Sequence, residues 1–158
     1  MNRRQIVVAG ASVAAILASL RLSGLSQAEA FAVVKTDAEW KRSLSSAEYA
    51  ILRGHGTERA GSSPLNAEKR AGRFACAGCD LPLFSSETKF ESGTGWPSFW
   101  APLDRAVGTT TDGSFGMSRT EVHCSRCGGH LGHVFNDGPK PTGQRYCMNG
   151  AALRFAAA

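Results

Sequence analysis

The sequence predicts a mainly β domain of the α+β kind, with two short helices at its N-terminal edge and paired cysteines as a clamp. Three observations lead there. Glycine supplies 18 of the 158 residues, about 11% against a usual ~7%, which favours turns over long helices. From Gly72 onward the apolar residues come in short pieces between Gly, Pro, Ser and Asp, the punctuation of strands. Four of the five cysteines fall into two C-x2-C pairs, Cys76 with Cys79 and Cys124 with Cys127.

Composition sets the outer limits. Hydrophobic residues make up 42% of the chain and charged residues 20%, with 18 basic against 13 acidic side chains and a net charge of +5. Those values exclude a wholly disordered chain and a polytopic membrane protein. Residues 1–20 open with Arg3-Arg4 and continue as an apolar run from Ile6 to Leu20. As a helix that run reaches ~22 Å, short of a ~30 Å hydrocarbon core. Ala28-Glu29-Ala30 follows, which completes the three parts of a secretory signal, with cleavage expected after Ala30. The alternative is a buried N-terminal helix, but the run is not amphipathic and nothing caps it. Arg3-Arg4, with Arg21 behind the run, favours the twin-arginine route over general secretion. The expectation is an exported, periplasmic protein with one domain over residues 31–158. Without Arg3, Arg4, Arg21 and Glu29 that domain keeps 15 basic and 12 acidic residues. They are scattered, so no nucleic-acid groove is indicated.

Along the domain, Thr36-Asp37 predicts the start of a short helix with Trp40 and Leu44 on one side, spaced i, i+4. Ser45-Ser46-Ala47-Glu48 is a capping box for a second helix through Ile51-Leu52, stopped by Gly54 and Gly56. Residues 57–69 read as a loop centred on Ser62-Ser63-Pro64. Asp112-Gly113, between residues 107–111 and 114–122, predicts a hairpin turn. Asp137-Gly138-Pro139 opens another loop before a strand that holds Cys147.

The cysteines carry the first chemical signal. The two C-x2-C pairs are separated by 44 residues, and four thiolates so arranged suit a tetrahedral Zn2+. Gly78 and Gly128-Gly129 would supply the backbone freedom of the two knuckles. Two disulfides are the other reading. An odd count leaves Cys147 over. On a strand, Arg145, Cys147 and Asn149 share one face, while Tyr146 and Met148 point the other way, into the core. Arg145 would then favour the Cys147 thiolate and Asn149 would offer a hydrogen bond to a polar ligand. An inert buried thiol is equally consistent with this pattern. His130 and His133 add weight to a reactive thiol. They are three apart and so do not share a strand face, but a bend at Gly132 would bring the two rings together. A histidine beside a thiolate activates it or protonates a leaving oxygen. The segment Gly93-Thr94-Gly95-Trp96-Pro97-Ser98-Phe99-Trp100 places three aromatics in a stretch too rich in Gly and Pro for regular structure. A Trp on such a loop suits contact with a small apolar group such as an S-methyl, or else fills the core.

Together these pieces resemble the methionine-R-sulfoxide reductase B family. The resemblance rests on residues 53–58 (RGHGTE), 72–79, 89–99 (KFESGTGWPSF), 124–138 (CSRCGGHLGHVFNDG) and 139–155 (PKPTGQRYCMNGAALRF). It implies a fold of two antiparallel β-sheets with peripheral helices. It implies that Cys147 attacks the sulfoxide sulfur and that His130, His133 and Asn149 bind or protonate the oxygen. Asp137 and Arg145 would orient and charge-balance the site, and Trp96, with Phe99, would bind the substrate. Cys76, Cys79, Cys124 and Cys127 would hold one structural zinc. The substrate would be methionine-R-sulfoxide in oxidised proteins or peptides, the chain a monomer, and the electron donor a thioredoxin-like or other thiol reductant. Two departures stand out. Thr94 occupies the place where many members carry a resolving cysteine, so an external thiol would have to reduce the Cys147 sulfenic acid. Gly150 stands where the family usually has Ser. The competing readings are a non-enzymatic zinc-ribbon interaction module with an inert Cys147, and a thiol oxidoreductase using the C-x2-C pairs as dithiols.

Overall fold

In the computed structural model the described residues are 31–158. The expected signal, its twin-arginine character and its cleavage site lie outside them. The first helix, α1 (Asp37–Ser43), and the second, α2 (Ser46–Leu52), each begin with a complete capping box. The Thr36 hydroxyl accepts from the Glu39 N–H and the Glu39 carboxylate accepts from the Thr36 N–H; Ser45 and Glu48 repeat the arrangement. Helices of this length are not stable alone. Burial of Trp40, Leu44, Ile51 and Leu52 holds them to the domain. Two glycines end α2 by close approach: a Cβ at Gly54 or Gly56 would lie 2.6 or 2.9 Å from the Ala50 carbonyl oxygen.

Nine strands follow among the described residues: β1 (Gly72–Cys76), β2 (Pro82–Ser85), β3 (Lys89–Phe90), β4 (Ser98–Phe99), β5 (Val107–Asp112), β6 (Arg119–Cys124), β7 (His130–Phe135), β8 (Arg145–Met148) and β9 (Leu153–Ala157). They form a three-stranded sheet, β2-β1-β9, and a six-stranded sheet, β3-β4-β8-β7-β6-β5. Every pairing is antiparallel, so the expected two-sheet, mainly β architecture is what the chain adopts.

The core lies between the sheets. Phe74 and Phe84 of the small sheet meet Phe99 of the large one at centroid distances of 4.9 and 4.4 Å, the second pair stacked. Tyr146 reaches Phe84 from β8 at 5.9 Å. This corrects one expectation. Phe99 is fully buried in this aromatic cluster and is not a substrate-binding residue. Strand alternation sends Ser98 to the opposite face and Phe99 to the core.

The β5–β6 hairpin is wider than the sequence predicts. Asp112 pairs with Arg119, and a 3-10 turn, Ser114–Gly116, lies between them. The Asp112 carboxylate accepts from the Ser114 N–H and from the Arg119 guanidinium. These contacts satisfy the loop in place of a two-residue turn. No helix among the described residues is long and apolar enough to cross a membrane.

Candidate active site

Cys147 sits on β8 between β7 and β4, on the face of the large sheet turned away from the core. Tyr146 and Met148 are buried on the core side and Cys147 is half-buried on the other, as alternation requires. In register, Cys147 lies opposite His133 on β7 and opposite Ser98 on β4, and His133 lies opposite Glu121 on β6. The neighbouring row on the same face holds Arg145 opposite Phe135, and Asp112 opposite Arg119.

A β-bulge brings the two histidines together. Val122 pairs with Gly132 and His123 with His130, which leaves Leu131 as an extra residue on β7. One extra residue reverses the alternation on one side of it. His130 and His133 therefore share a face despite being three apart, with ring centroids 5.5 Å apart. The expected bend at Gly132 is thus a bulge at Leu131. Gly132 matters for a different reason. A Cβ there would lie 2.2 Å from the Cys147 carbonyl oxygen, so only glycine lets β8 approach. Asn149 locks the bulge, giving both its backbone N–H (2.8 Å) and a side-chain N–H (3.1 Å) to the Leu131 carbonyl.

A cavity of about 220 Å3 opens over Cys147. Trp96 and Phe135 form its apolar walls, and Thr57, Arg119, His133 and Asn149 give it a polar side. Trp96 is fixed by its indole N–H, which donates to the Glu58 carbonyl at 3.1 Å. Each polar group has a supporting partner. His133 Nε2 lies 2.8 Å from Asp112 Oδ2. The Asp112 carboxyl is held well below the usual carboxylate range, first by the Ser114 N–H and hydroxyl, then by His133 and Arg119. It is therefore ionised and placed to accept a proton-bearing Nε2 of His133. His130 Nδ1 lies 2.7 Å from Glu121 Oε1. His130 is buried, and burial pushes its imidazole below the ordinary histidine value, outweighing the opposing pull of Glu121. Asn149 Oδ1 accepts from the Glu58 N–H at 3.0 Å, which leaves one side-chain N–H of Asn149 for a ligand.

Arg145 is gripped by both oxygens of Asp137, at 2.9 and 2.8 Å, and lies 4.4 Å over the Phe135 ring. Its pKa is raised, chiefly by Asp137 and further by attraction to Cys147. Asp137 itself is largely exposed, so it acts on the site only through Arg145. On the other side of Cys147 runs a chain of hydroxyls. Thr94 Oγ1 is 3.8 Å from Cys147 Sγ, Ser92 Oγ is 2.8 Å from Thr94 Oγ1, and Ser98 Oγ is 2.7 Å from Ser92 Oγ.

Gly150 has a structural explanation. The Glu58 carboxylate accepts from the Gly150 and Ala151 N–H groups at 2.6 and 2.9 Å. A Cβ at Gly150 would fall 1.9 Å from Ser63 Oγ. The Ser63 hydroxymethyl occupies the space that a side chain at position 150 would need. Gly150→Ser is therefore expected to destabilise the domain by ~1–3 kcal/mol through overpacking. Adding Ser63→Gly should recover part of the loss. Denaturant melts of the single and double variants would check this, and equal stability for all three would refute it.

The four remaining cysteines gather at the end of the molecule under the helices. Sγ atoms of Cys76 and Cys127 are 3.7 Å apart, those of Cys79 and Cys124 are 3.5 Å apart, and all four lie within 4.8 Å of one another. They are not joined in disulfides. The two knuckles repeat one design. The N–H of the residue four after the first cysteine donates to that cysteine's carbonyl, Asp80 to Cys76 and Gly128 to Cys124. Both residues have left-handed backbones, with φ of 58° and 67°. The special conformation of the first knuckle thus falls on Asp80, where the sequence pointed to Gly78.

The fold therefore brings Cys147, His133, Asn149 and Trp96 to one cavity, with His130 behind it and Arg145 beside it. Thr57, Arg119 and Phe135, together with the supporting carboxylates Asp112, Glu121 and Glu58, escape the sequence reading. The RGHGTE segment contains two of them but carries no spacing that assigns a role.

The SelR domain family model matches residues 44–157. The chain is 54% identical over 126 residues to the peptide methionine sulfoxide reductase MsrB of Leptospira interrogans, covering 79% of this chain and 96% of that one. It is 52% identical over 127 residues to the enzyme of the same name from Hahella chejuensis, covering 80% and 91%. With that of Methanosarcina barkeri it shares 55% identity over 126 residues, covering 78% and 88%.

Proposed function

The chain belongs to the SelR domain family, and from that membership we propose that it reduces methionine-R-sulfoxide to methionine with Cys147 as nucleophile. The observation that carries the proposal is the cavity in which Cys147, His133 and Asn149 face Trp96 and Phe135. An S-methyl group suits the aromatic walls, and the sulfoxide oxygen suits the polar side.

The roles follow from the hydrogen bonds. Asp112 holds the Nε2 proton of His133, so Nδ1 is free to take the Cys147 thiol proton. Arg145 stabilises the resulting thiolate. The thiolate attacks the sulfoxide sulfur, and the imidazolium of His133 delivers its proton to the oxygen, a poor leaving group until protonated. The spare N–H of Asn149 donates to the same oxygen. His130, held by Glu121, completes the polar wall behind it. The oxygen then passes to Cys147 Sγ as the sulfoxide sulfur–oxygen bond and the transient bond between the two sulfurs both break, so the products are methionine and Cys147 sulfenic acid. Thr94 offers no thiol to form an internal disulfide. Two external thiols, or a thioredoxin-like dithiol, return Cys147 to the thiol and release water and a disulfide. For a protein exported to the periplasm the dithiol would be an exported one, and oxidised envelope proteins would be the substrates.

Cys76, Cys79, Cys124 and Cys127 fit a structural zinc. A tetrahedral ion with Zn–S of ~2.3 Å sets its sulfurs ~3.8 Å apart, which matches the sulfur spacings given above. Bound there, zinc would tie β1 of the small sheet to β6 of the large one and leave no open position for chemistry.

The direct test offers purified protein both epimers of a methionine sulfoxide peptide with dithiothreitol. Loss of the R epimer alone is expected; loss of neither, from folded protein, would overturn the proposal. Asp112→Asn tests the role of His133. The amide would keep accepting from Ser114 but would present N–H to His133 Nε2, forcing the imidazole proton onto Nδ1. A fall in kcat of about 10²-fold or more is expected, with the melting temperature lowered only modestly by loss of the Asp112–Arg119 ion pair. An unchanged kcat would remove His133 as the base.

A further inference from the structure

We propose that His55, Glu121 and His130 form a second metal site, for a divalent first-row transition cation, beside the reaction cavity. Nδ1 of His55 lies 3.2 Å from Glu121 Oε1, and Nδ1 of His130 lies 2.7 Å from the same oxygen. One ligand atom from each of the three residues falls within 4.8 Å of the other two. Adjacent ligands on an octahedral cation, each ~2.1 Å from the metal, are ~3.0 Å apart, close to both nitrogen–oxygen separations. Two imidazoles and one carboxylate select Zn2+, Co2+, Ni2+ or Fe2+ over Mg2+ or Ca2+, and they leave positions open for water.

The backbone aims His55 at this point. It is a non-glycine residue at φ 53°, a conformation that costs free energy and needs a compensating reason. Its ring lies 5.2 Å from that of His130, while its side chain stays mostly exposed, so a cation has a route in. A concavity of about 380 Å3 adjoins the cluster, with Thr57 and Ser114 among its lining, which gives room for the remaining water ligands. The nearby Asp112–His133 pair does not compete, because the Arg119 guanidinium already supplies the cation there, 2.8 Å from Asp112.

Without metal, Glu121 Oε1 is hydrogen-bonded to His130 Nδ1, with His55 Nδ1 beside it. A cation here would be held through the Nδ1 lone pairs, with any imidazole proton carried on Nε2. The site differs in kind from the four-cysteine cluster, which is mostly buried and entirely sulfur.

The test uses the full chain with its four-thiolate site filled by zinc and with Cys147→Ser in place, so that no reactive thiol competes and the result does not depend on the reaction. Co2+ is titrated in and followed by visible absorption and calorimetry. One further equivalent should bind with the weak bands of an octahedral nitrogen–oxygen site and without sulfur-to-cobalt charge transfer. His55→Gln removes a ligand that is exposed and outside the proposed reaction, and should weaken binding by about tenfold or more with an unchanged melting temperature. Glu121→Gln should weaken it likewise. No second equivalent at ~1 mM Co2+, or binding that His55→Gln leaves unaltered, would overturn the proposal.

Discussion

Cys147→Ser is expected to abolish turnover while leaving the folded domain in place. The substitution replaces one heavy atom on a half-buried side chain, and the neighbours that fix β8, Tyr146 and Met148, point the other way. Stability should therefore change by less than about 1 kcal/mol. Reactivity should fall by at least ~10⁴-fold, because a hydroxyl is a far weaker nucleophile toward sulfur and no base here is strong enough to ionise it. The measurement is consumption of an R-sulfoxide peptide beside a melting curve and a metal assay. Full activity in this variant would mean that the chemistry lies elsewhere, with the C-x2-C pairs as the next candidates. Lost activity together with a collapsed melting curve would instead mark Cys147 as a packing residue.

Cys124→Ser should behave in the opposite way. Cys124 is fully buried, and it lies at the end of β6, the strand that carries Arg119 and Glu121 into the site. Removing one of four ligands would leave two buried cysteines and the partly buried Cys79 without an ion. The cost is set by the lost metal-binding free energy and by the uncompensated groups left behind, roughly 3–5 kcal/mol for the latter alone. For a domain of this size that lowers the melting temperature by ~10 °C or more. Metal content should fall to zero in parallel. A variant that kept its metal, or that lost it without losing stability, would refute the structural role. The two substitutions together separate the centres: one removes chemistry and keeps the fold, the other removes the fold's clamp and takes activity down with it.

Much of this was legible before any coordinates. The capping boxes at Thr36 and Ser45 are contacts between residues three apart, so the sequence contains the whole interaction. The C-x2-C pairs each present two sulfurs from a single turn. The alternation at 145–148 assigns Tyr146 and Met148 to the core and Cys147 to the opposite face, because strand geometry has a fixed period of two. Cys147 is left over by arithmetic alone. Local periodicity and short spacings thus point to the fold class, to a four-cysteine group and to a thiol left over on the outer face, whose role as nucleophile rests on the family resemblance.

What the sequence left open depends on register between distant segments. The bulge at Leu131 exists only because β6 and β7 pair with one residue to spare, and nothing in Gly128-Gly129-His130-Leu131 announces it. Phe99 reads as a pocket aromatic beside Trp96 until the pairing of β4 with β8 turns its ring into the core. Ser63 fills the space over Gly150, and Glu58 binds the Gly150 N–H from 92 residues away. Asp112, Glu121 and Arg119 look like the two arms of an ordinary hairpin until β7 is laid beside it. By itself the sequence determined which side chains are available for reactive chemistry, because reactivity belongs to the side chain. Only the tertiary structure decided which carboxylate faces which histidine, since that is set by strand register, and register is fixed by the sum of core packing across both sheets rather than by any neighbour in the chain.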